Sequence, residues 1–399
     1  MKVTAPRIGM TGTQAKHVIP TKTNDRPLVG SGVDKSIAYQ ISDTFAFKAK
    51  NDGKVIKIND KTNLMIVEYK NGEKDVIDLS EKLAKNSNAG FYQVNKLTPQ
   101  FEEGKTFKLG QILAKNDNFF AGDSKKSDIQ FTSGKLSKVA ISPSYGTYED
   151  SSIISNSMSE AMSSKITMKK TVNIPSNTNI QYMVKEGQKV RTGDPLMIFE
   201  TSFDDEGIGS LLDKIGKEFE ADIEDLANRA VRSKYTGVIK KINFYYNDDI
   251  ENMTPSLAKI LNKYISDSNA KFKEYKNSIK DNKTVLPSVD VDVPAVEKIE
   301  SEKIRGENVD GVLIEIFTEY EDDLGIGDKI SFYGACKTVV ADVLPPNQAP
   351  FSEYRQDEEI EAVFSPLSIV SRMTVDIYMM LFTNKVLIEL KRKVKELTE

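Results

Sequence analysis

The sequence is poor in the side chains that most often do chemistry on their own. Among 399 residues there is one cysteine, Cys336, and one histidine, His17. That inventory excludes a disulfide framework, a zinc cluster and a Ser-His-Asp or Cys-His catalytic set. Catalysis by carboxylates, lysines or arginines stays open. An excess of one charge is also missing: 55 Lys+Arg stand against 59 Asp+Glu, for a net charge of -4. Any contact with nucleic acid must then come from local patches. No run approaches the roughly 18 consecutive apolar residues a membrane helix needs, and Met1 to Pro6 lacks the apolar core of a signal peptide. The expectation is a soluble intracellular protein. What is present is apolar material, 39% of the chain, enough to build cores in about two to four domains.

Residues 1–45 are rich in Thr, Gly and Pro with little periodicity, which predicts an extended segment packed against something else. Residues 46–140 alternate apolar and polar positions, as at Val55, Ile56 and Ile58, then Met65 and Val67. Asn71-Gly72 is the favoured pair for a two-residue hairpin turn, so this region reads as a small β domain. Glu103-Gly104 with Phe107, Gly110 and Ile112-Leu113 matches Glu186-Gly187 with Val190, Gly193 and Leu196-Met197. A Gly-led turn, a short strand and a second Gly turn suit compact β barrels and barrel-sandwich folds.

Between Ser210 and Arg229, Leu212, Ile215, Phe219, Ile223 and Leu226 recur at helical spacing. A second helix is predicted from Thr254 as N-cap, with Pro255 in its first turn. Strands at Gly237-Val238-Ile239 and Ile242 to Phe244 lie between them. Residues 193–309 thus read as a β element carrying a helical insertion, and the chain returns to strands at Val312 to Ile316. The fold class expected is α+β and β-rich.

Two lysines stand eight residues apart, Lys329 after the Gly325-Ile326-Gly327 turn and Lys337 beyond Phe332-Tyr333-Gly334. On one rim of a barrel they would make a polyanion site, although such a pair is more often plain surface. Arg372 follows Ser365-Pro366-Leu367-Ser368, where a proline turn in apolar surroundings delivers a guanidinium suited to phosphate oxygens. Its bland alternative is a cap on the following helix. Glu149 and Asp150 lie after Tyr145-Gly146-Thr147-Tyr148. They are read either as a helix N-terminal cap or as carboxylates positioning a metal-bound triphosphate.

Four ordered stretches carry a resemblance. Arg7 to Pro20 followed by Pro27 to Gly32 is similar to R-A-L-M-G-S-N-M continuing to P-L-V-G-T-G. Gly146 to Ser151 resembles G-Y-N-Y-E-D-A. Gly327-Asp328-Lys329 with Lys337 resembles G-D-K followed by G-R-H-G-N-K at the same lysine spacing. Ser365 to Ser368 with Ser371-Arg372-Met373 resembles N-P-L-G-V-P-S-R-M. Together these resemble the C-terminal half of the β subunit of multisubunit DNA-directed RNA polymerases, over roughly residues 5 to 375.

The resemblance implies that Lys329 and Lys337 line the catalytic centre near the RNA 3′ end. Arg7 and Arg372 would hold the incoming triphosphate, and Glu149 and Asp150 would sit near the second metal ion. Thr13, Lys16 and His17 would flank the RNA path. Residues 46–140 become a hybrid-type barrel domain, 141–192 and 310–399 segments of the catalytic barrel, and 193–309 a flap. Mg2+ would be held mainly by a β′-type partner, with no complete metal site in this chain and no activity in isolation. Further partners implied are a polypeptide carrying the front half of β, an initiation factor, DNA template, RNA and NTPs.

The departures are as informative. Tyr333 and Gly334 replace the family's arginine and histidine between the lysines. Thr374-Val375-Asp376-Ile377 replaces N-I-G-Q, and the closing clamp segment is missing. The arrangement resembles the split polymerase subunits of large bacteriophages, working in the cytoplasm of a bacterial host or packaged in the virion. Phe203-Asp204-Asp205-Glu206-Gly207 superficially resembles the metal loop D-F-D-G-D of β′ but lacks its alternating acids. It reads as an acidic cluster at a helix N-terminus. Met168-Lys169-Lys170 resembles the hairpin lysine of biotin or lipoyl carriers, which keeps a carrier or barrel-sandwich scaffold as a rival reading. A degenerate, purely structural β paralogue is a third.

Overall fold

The computed structural model describes residues 5–26, 28, 32–86, 90–122, 129–201, 228–280, 285–286, 296–300, 303–304, 307–309, 311–332, 336–372 and 376–398. Strands dominate, with few helices, as expected for a β-rich α+β chain. No helix among these residues is long and apolar enough to cross a membrane. The chain forms two compact units, each from discontinuous segments: Met1–Lys48, Ala114–Lys165 and Glu321–Glu399 in one, Ala49–Leu113 and Ile166–Tyr320 in the other.

The second unit contains one structural idea twice. Near its start, Gly104 N–H donates to the Val55 carbonyl (2.9 Å), Val55 N–H to Lys105 (2.9 Å), and Gly110 N–H to Ala49 (2.9 Å). Later, Gly187 N–H donates to Ile239 (2.7 Å), Ile239 N–H to Gln188 (2.9 Å), and Gly193 N–H to Ser233 (2.8 Å). The preceding acid closes each corner: Glu103 accepts from Ile58 N–H at 3.3 Å and Glu186 from Ile242 N–H at 2.9 Å. All four turn glycines have φ between 78° and 90°, a region that L side chains avoid. In the crossing strands, a Cβ on Gly53 would stand 2.3 Å from the Glu68 carbonyl oxygen and one on Gly237 2.0 Å from that of Glu319. The two halves occur in opposite chain order in the two copies, so one packing scheme is reached by two connectivities.

The hairpin of strands Leu64–Tyr69 and Lys74–Asp78 differs from its expected turn. Tyr69 N–H donates to Glu73 (2.8 Å), leaving Lys70, Asn71 and Gly72 as a three-residue loop. Only Gly72 has positive φ, +83°, so the two-residue type that needs it at both centres is not formed. The helix expected from Thr254 runs Pro255–Lys280, and the Thr254 hydroxyl accepts from Leu257 N–H at 3.4 Å. Its Leu257 and Leu261 are fully buried against Ile242, Phe244, Ile314 and Ile316. The helix expected at 210–229 lies almost wholly outside the described residues, as does the acidic cluster at 203–207.

The first unit carries helices α1 (Ala5–Lys16) and α2 (Val33–Gln40), strands β1 (Val139–Ile141) and β2 (Ser151–Ser155), and helix α3 (Asn156–Ala161). Strands β3 (Lys329–Phe332), β4 (Cys336–Leu344) and β5 (Ala362–Phe364) follow, with helices α4 (Pro366–Val370) and α5 (Asp376–Thr398). The start of the chain is therefore helical where an extended segment was expected. Low propensity at Gly9, Gly12, Thr11 and Thr13 is only a weak prior, and Thr13 returns its hydroxyl to the Gly9 carbonyl at 3.0 Å.

The five strands form one sheet in the order β1-β5-β2-β4-β3. β2 lies parallel to β4 and antiparallel to β5, so segments far apart in sequence meet on one sheet. Ile154, Met158, Ile330, Val340 and Ala362 pack one core cluster, and Cys336, Phe364, Ile369 and Ile377 another. The Phe332 and Phe364 rings stack at 4.7 Å. Along α5, Ile377 and Asn384 are buried while Met379, Phe382, Val386, Leu390, Val394 and Leu397 are exposed.

Candidate phosphate-handling site

The glycine turn before β3 sets the position of the first lysine. Gly327 adopts φ +93° and donates its N–H to Val340 (2.8 Å), while Val340 N–H donates to Asp328 (2.8 Å). The Asp328 carboxylate closes the turn by accepting from Gly325 N–H at 2.9 Å. In the hairpin register Lys329 faces Val339 and Ser331 faces Lys337. Lys329 and Lys337 are thus diagonal neighbours on one exposed face, roughly 7–8 Å apart along the backbone. Alternation sends Ile330 and Thr338 into the core instead. Among the described residues neither ammonium has an ion pair. Two such charges about 8 Å apart repel by about 0.5 kcal/mol in water and more in drier surroundings, a cost that a bound polyanion reverses.

Arg372 reaches the same hairpin from the end of α4. Ser365 caps that short helix by accepting from Leu367 N–H at 3.2 Å, with Pro366 at its first position. The guanidinium donates through Nη1 to the Lys337 carbonyl at 3.3 Å, contacts Cys336 Sγ at 3.7 Å, and pairs through Nη2 with Asp150. It therefore spans two chain segments, and its bonds run to β4 and the Asp150 turn.

The acidic turn is held by the same set. Gly146 leaves room for Ile153, because a Cβ there would stand 2.7 Å from Ile153 Cγ1 and that side chain would have to shift. Thr147 is buried and accepts from Ser144 N–H at 2.8 Å. Glu149 takes φ +52°, costing on the order of 1 kcal/mol for a side chain of its type, while Ser368 donates to its carbonyl. Asp150 accepts from Val339 N–H through its carbonyl at 2.9 Å. The acids cap no helix, since β2 intervenes and Ser155 is the N-cap of α3. Beyond the turn, Ser152 and Thr338 hydroxyls meet at 2.9 Å in the core between β2 and β4. Tyr145 donates to Asp342 at 2.6 Å, a bond that raises its hydroxyl pKa.

α1 joins the site through Gln14, whose Oε1 accepts from Ser331 Oγ at 2.6 Å, on the lysine face of the hairpin. Thr13 and His17 beside it are exposed. Arg7 and Lys16 lie on the same helix, but their side chains are outside the described residues, as are Tyr333 and Gly334. The motif reading gave no role to Gln14, Ser331, Ser368 or Cys336, although Gln14 and Ser368 fall within its matched stretches. Ser331 alone had a signal, since strand alternation places it between the lysines.

Two further residues are informative by placement. Lys169 sits within the strand Ser164–Ile174, not at a hairpin tip, and its Nζ bonds the buried Glu315 at 2.8 Å. Asn243 Nδ2 and Tyr245 Oη donate to the same carboxylate at 3.3 and 3.4 Å. Among the described residues no three His, Cys, Asp or Glu side chains converge as a metal cluster.

The β-rich unit brings two lysines, an arginine and an acidic turn together around one hairpin from separate chain segments. The family model for RNA polymerase Rpb2, domain 6, matches residues 49–396, and the chain belongs to that family, the β-type subunits of DNA-directed RNA polymerases. It is 23% identical over 377 residues to the DNA-directed RNA polymerase subunit beta of Caldicellulosiruptor saccharolyticus, covering 93% of this chain. The chain spans only 27% of the length of that relative.

Proposed function

We propose that the chain works as the C-terminal β-type piece of a multisubunit DNA-dependent RNA polymerase, supplying fixed cations to the incoming nucleotide and the RNA 3′ end. The observation that carries the reading is the β3–β4 hairpin: Lys329 and Lys337 share its exposed face, and Arg372 is hydrogen-bonded to the backbone of Lys337 itself. Nucleotidyl transfer builds negative charge on the phosphates, and cations fixed beforehand stabilise it without reorganising. Here the β sheet provides the fixing. Lys329 and Lys337 act near the RNA 3′ end, Arg372 and Arg7 hold the triphosphate, and Thr13, Lys16 and His17 flank the RNA. The boundaries read from the sequence, with a flap at 193–309, belong to this reading.

A polymerase of this family works with Mg2+, which neutralises the phosphates and activates the attacking hydroxyl. In this reading it is held mainly by a β′-type partner, and this chain alone is inactive. The remaining β sequence is carried by a further polypeptide, as in the split subunits of large bacteriophages, and an initiation factor brings the assembly to its promoter. The working place is the host cytoplasm, or the virion for a packaged enzyme. The test is purification of the chain from the cells that make it. Expected are co-purifying β-type and β′-type chains and Mg2+-dependent RNA synthesis on DNA. Recovery of this chain by itself, or an intact assembly that makes no RNA, would overturn the reading.

A further inference from the structure

α1 is 12 residues long with glycines at 9 and 12, a length and composition at which an isolated helix is marginal in water. Its placement therefore depends on what it touches. Of its described residues, Gly9, Met10, Gly12, Thr13 and Ala15 are exposed and Gln14 alone is partly buried. Gln14 is where α1 meets the lysine hairpin: its Oε1 accepts from Ser331 Oγ at 2.6 Å, while the other acceptor of that hydroxyl, the neighbouring Phe332 carbonyl, lies at 3.3 Å. A hydroxyl has one hydrogen to give, and the shorter bond to α1 takes it. A second fastening follows beyond the helix, where Lys22 N–H donates to the Ser163 carbonyl at 2.8 Å and Thr23 N–H to that of Ala161 at 3.1 Å.

Ser331 is placed by the same register that brings the lysines together. It stands directly opposite Lys337 and two residues from Lys329, on the exposed face of β3. The Gln14 amide thus ties α1 to the middle of the lysine face, with Thr13, Lys16 and His17 beside it in the chain. The polar pair is a departure from the stretch R-A-L-M-G-S-N-M that Arg7 to Gln14 resembles. The position held here by Gln14 is methionine there, and a thioether is only a weak acceptor.

We propose that Gln14 and Ser331 are a positioning pair, a hydrogen-bonded clasp that holds α1 at a fixed distance from the lysine face so that the RNA 3′ end is received between two surfaces already in register. Neither side chain touches the reacting atoms. Gln14 acts through Ser331, and the pair acts through the spacing it sets between Lys329 and Lys337 on one side and the residues of α1 on the other. Reaction rates respond steeply to such spacing, because the reacting groups must meet in a narrow range of geometry. The inference rests on the roles proposed for the lysine face and for α1 beside the RNA.

The experiment is a double-mutant cycle in the assembled polymerase on an RNA–DNA scaffold, reading the single-nucleotide addition rate per extendable complex at saturating NTP. Gln14→Met and Ser331→Ala are each expected to slow addition about three- to tenfold, the scale of one side-chain hydrogen bond. The double variant should be no slower than the slower single variant, and Ser331→Thr, which keeps the hydroxyl, should retain the rate of the unmodified enzyme. A bond that only stabilised the fold would lower the yield of assembled polymerase and leave the rate per complex unchanged. That outcome overturns the clasp, as do single losses that multiply in the double variant, or a Ser331→Thr enzyme as slow as Ser331→Ala. Lys337→Ala separates the two readings. If it too leaves the rate unchanged, the role of the lysine face itself is wrong; if it slows addition while the cycle shows no coupling, only the clasp falls.

Discussion

Replacing Lys169 by methionine tests how the second unit is built and whether this lysine is free for any other use. The Glu315 side chain is 2% exposed and accepts from Lys169 Nζ at 2.8 Å, with weaker support from Asn243 and Tyr245 at 3.3 and 3.4 Å. The Lys169 side chain is itself only 20% exposed. Removing one member of such a pair strands a charge in a dry site and costs about 3–5 kcal/mol, whereas replacing both by apolar groups of similar volume is close to neutral. Lys169→Met and Glu315→Leu should each be strongly destabilising and the double variant much less so. With a urea m-value of about 1–3 kcal/mol/M, a single loss of this size moves the unfolding midpoint of the full chain by roughly 1 M or more. The assay is urea unfolding followed by far-UV circular dichroism in a four-member cycle. Additive single effects, with the double variant as weak as their sum, would refute the coupling. So would an intact protein carrying a covalent group on Lys169, because acylation would remove the charge that Glu315 requires.

Other outcomes rest on single contacts. Gly237→Ala puts a Cβ 2.0 Å from the Glu319 carbonyl oxygen, so backbone must move; a loss of about 3 kcal/mol or failure to fold is expected by the same unfolding assay. Ser152→Ala leaves the Thr338 hydroxyl unsatisfied in the core and should cost about 1–3 kcal/mol, while adding Thr338→Val should recover part of it. Asp322 has its carboxyl pKa raised, first by burial and then by the charges of Asp328 and Asp323. A folded pKa above the unfolded value contributes stability that is full below the unfolded pKa, about 4, and is lost as pH rises through the folded one. Asp322→Asn should therefore stabilise the chain at pH 7, with a gain that shrinks toward pH 4; a gain independent of pH would refute the assignment.

Different parts of this molecule were legible in the sequence for different physical reasons. The repeated corner could be read because it depends on left-handed backbone, which marks itself with glycine at 104, 110, 187 and 193. Its counterparts Gly53 and Gly237 were silent, since a glycine required by a passing carbonyl looks like any other strand glycine. The shared face of Lys329 and Lys337 follows from period-two alternation through a hairpin. That Arg372 and Asp150 meet does not, because it depends on a parallel pairing of β2 with β4 that no local pattern encodes. The helix at Ala5–Lys16 was missed because its glycines and threonines lower helix propensity, and propensity is only a weak prior. The hairpin turn missed by one residue: Asn71 can take left-handed backbone but does not here.

The proposed role of the exposed lysine face on the β3–β4 hairpin is to stabilise charge in nucleotidyl transfer. The sharpest check on that role is the single-nucleotide addition rate of the assembled polymerase on a preformed RNA–DNA scaffold at saturating NTP, with Lys337→Ala against the unmodified chain. Loss of one fixed cation at the reacting phosphates should slow addition by about 10²–10³-fold, with assembly and scaffold binding retained. An addition rate equal to that of the unmodified enzyme would mean that the lysine face takes no part in the chemistry.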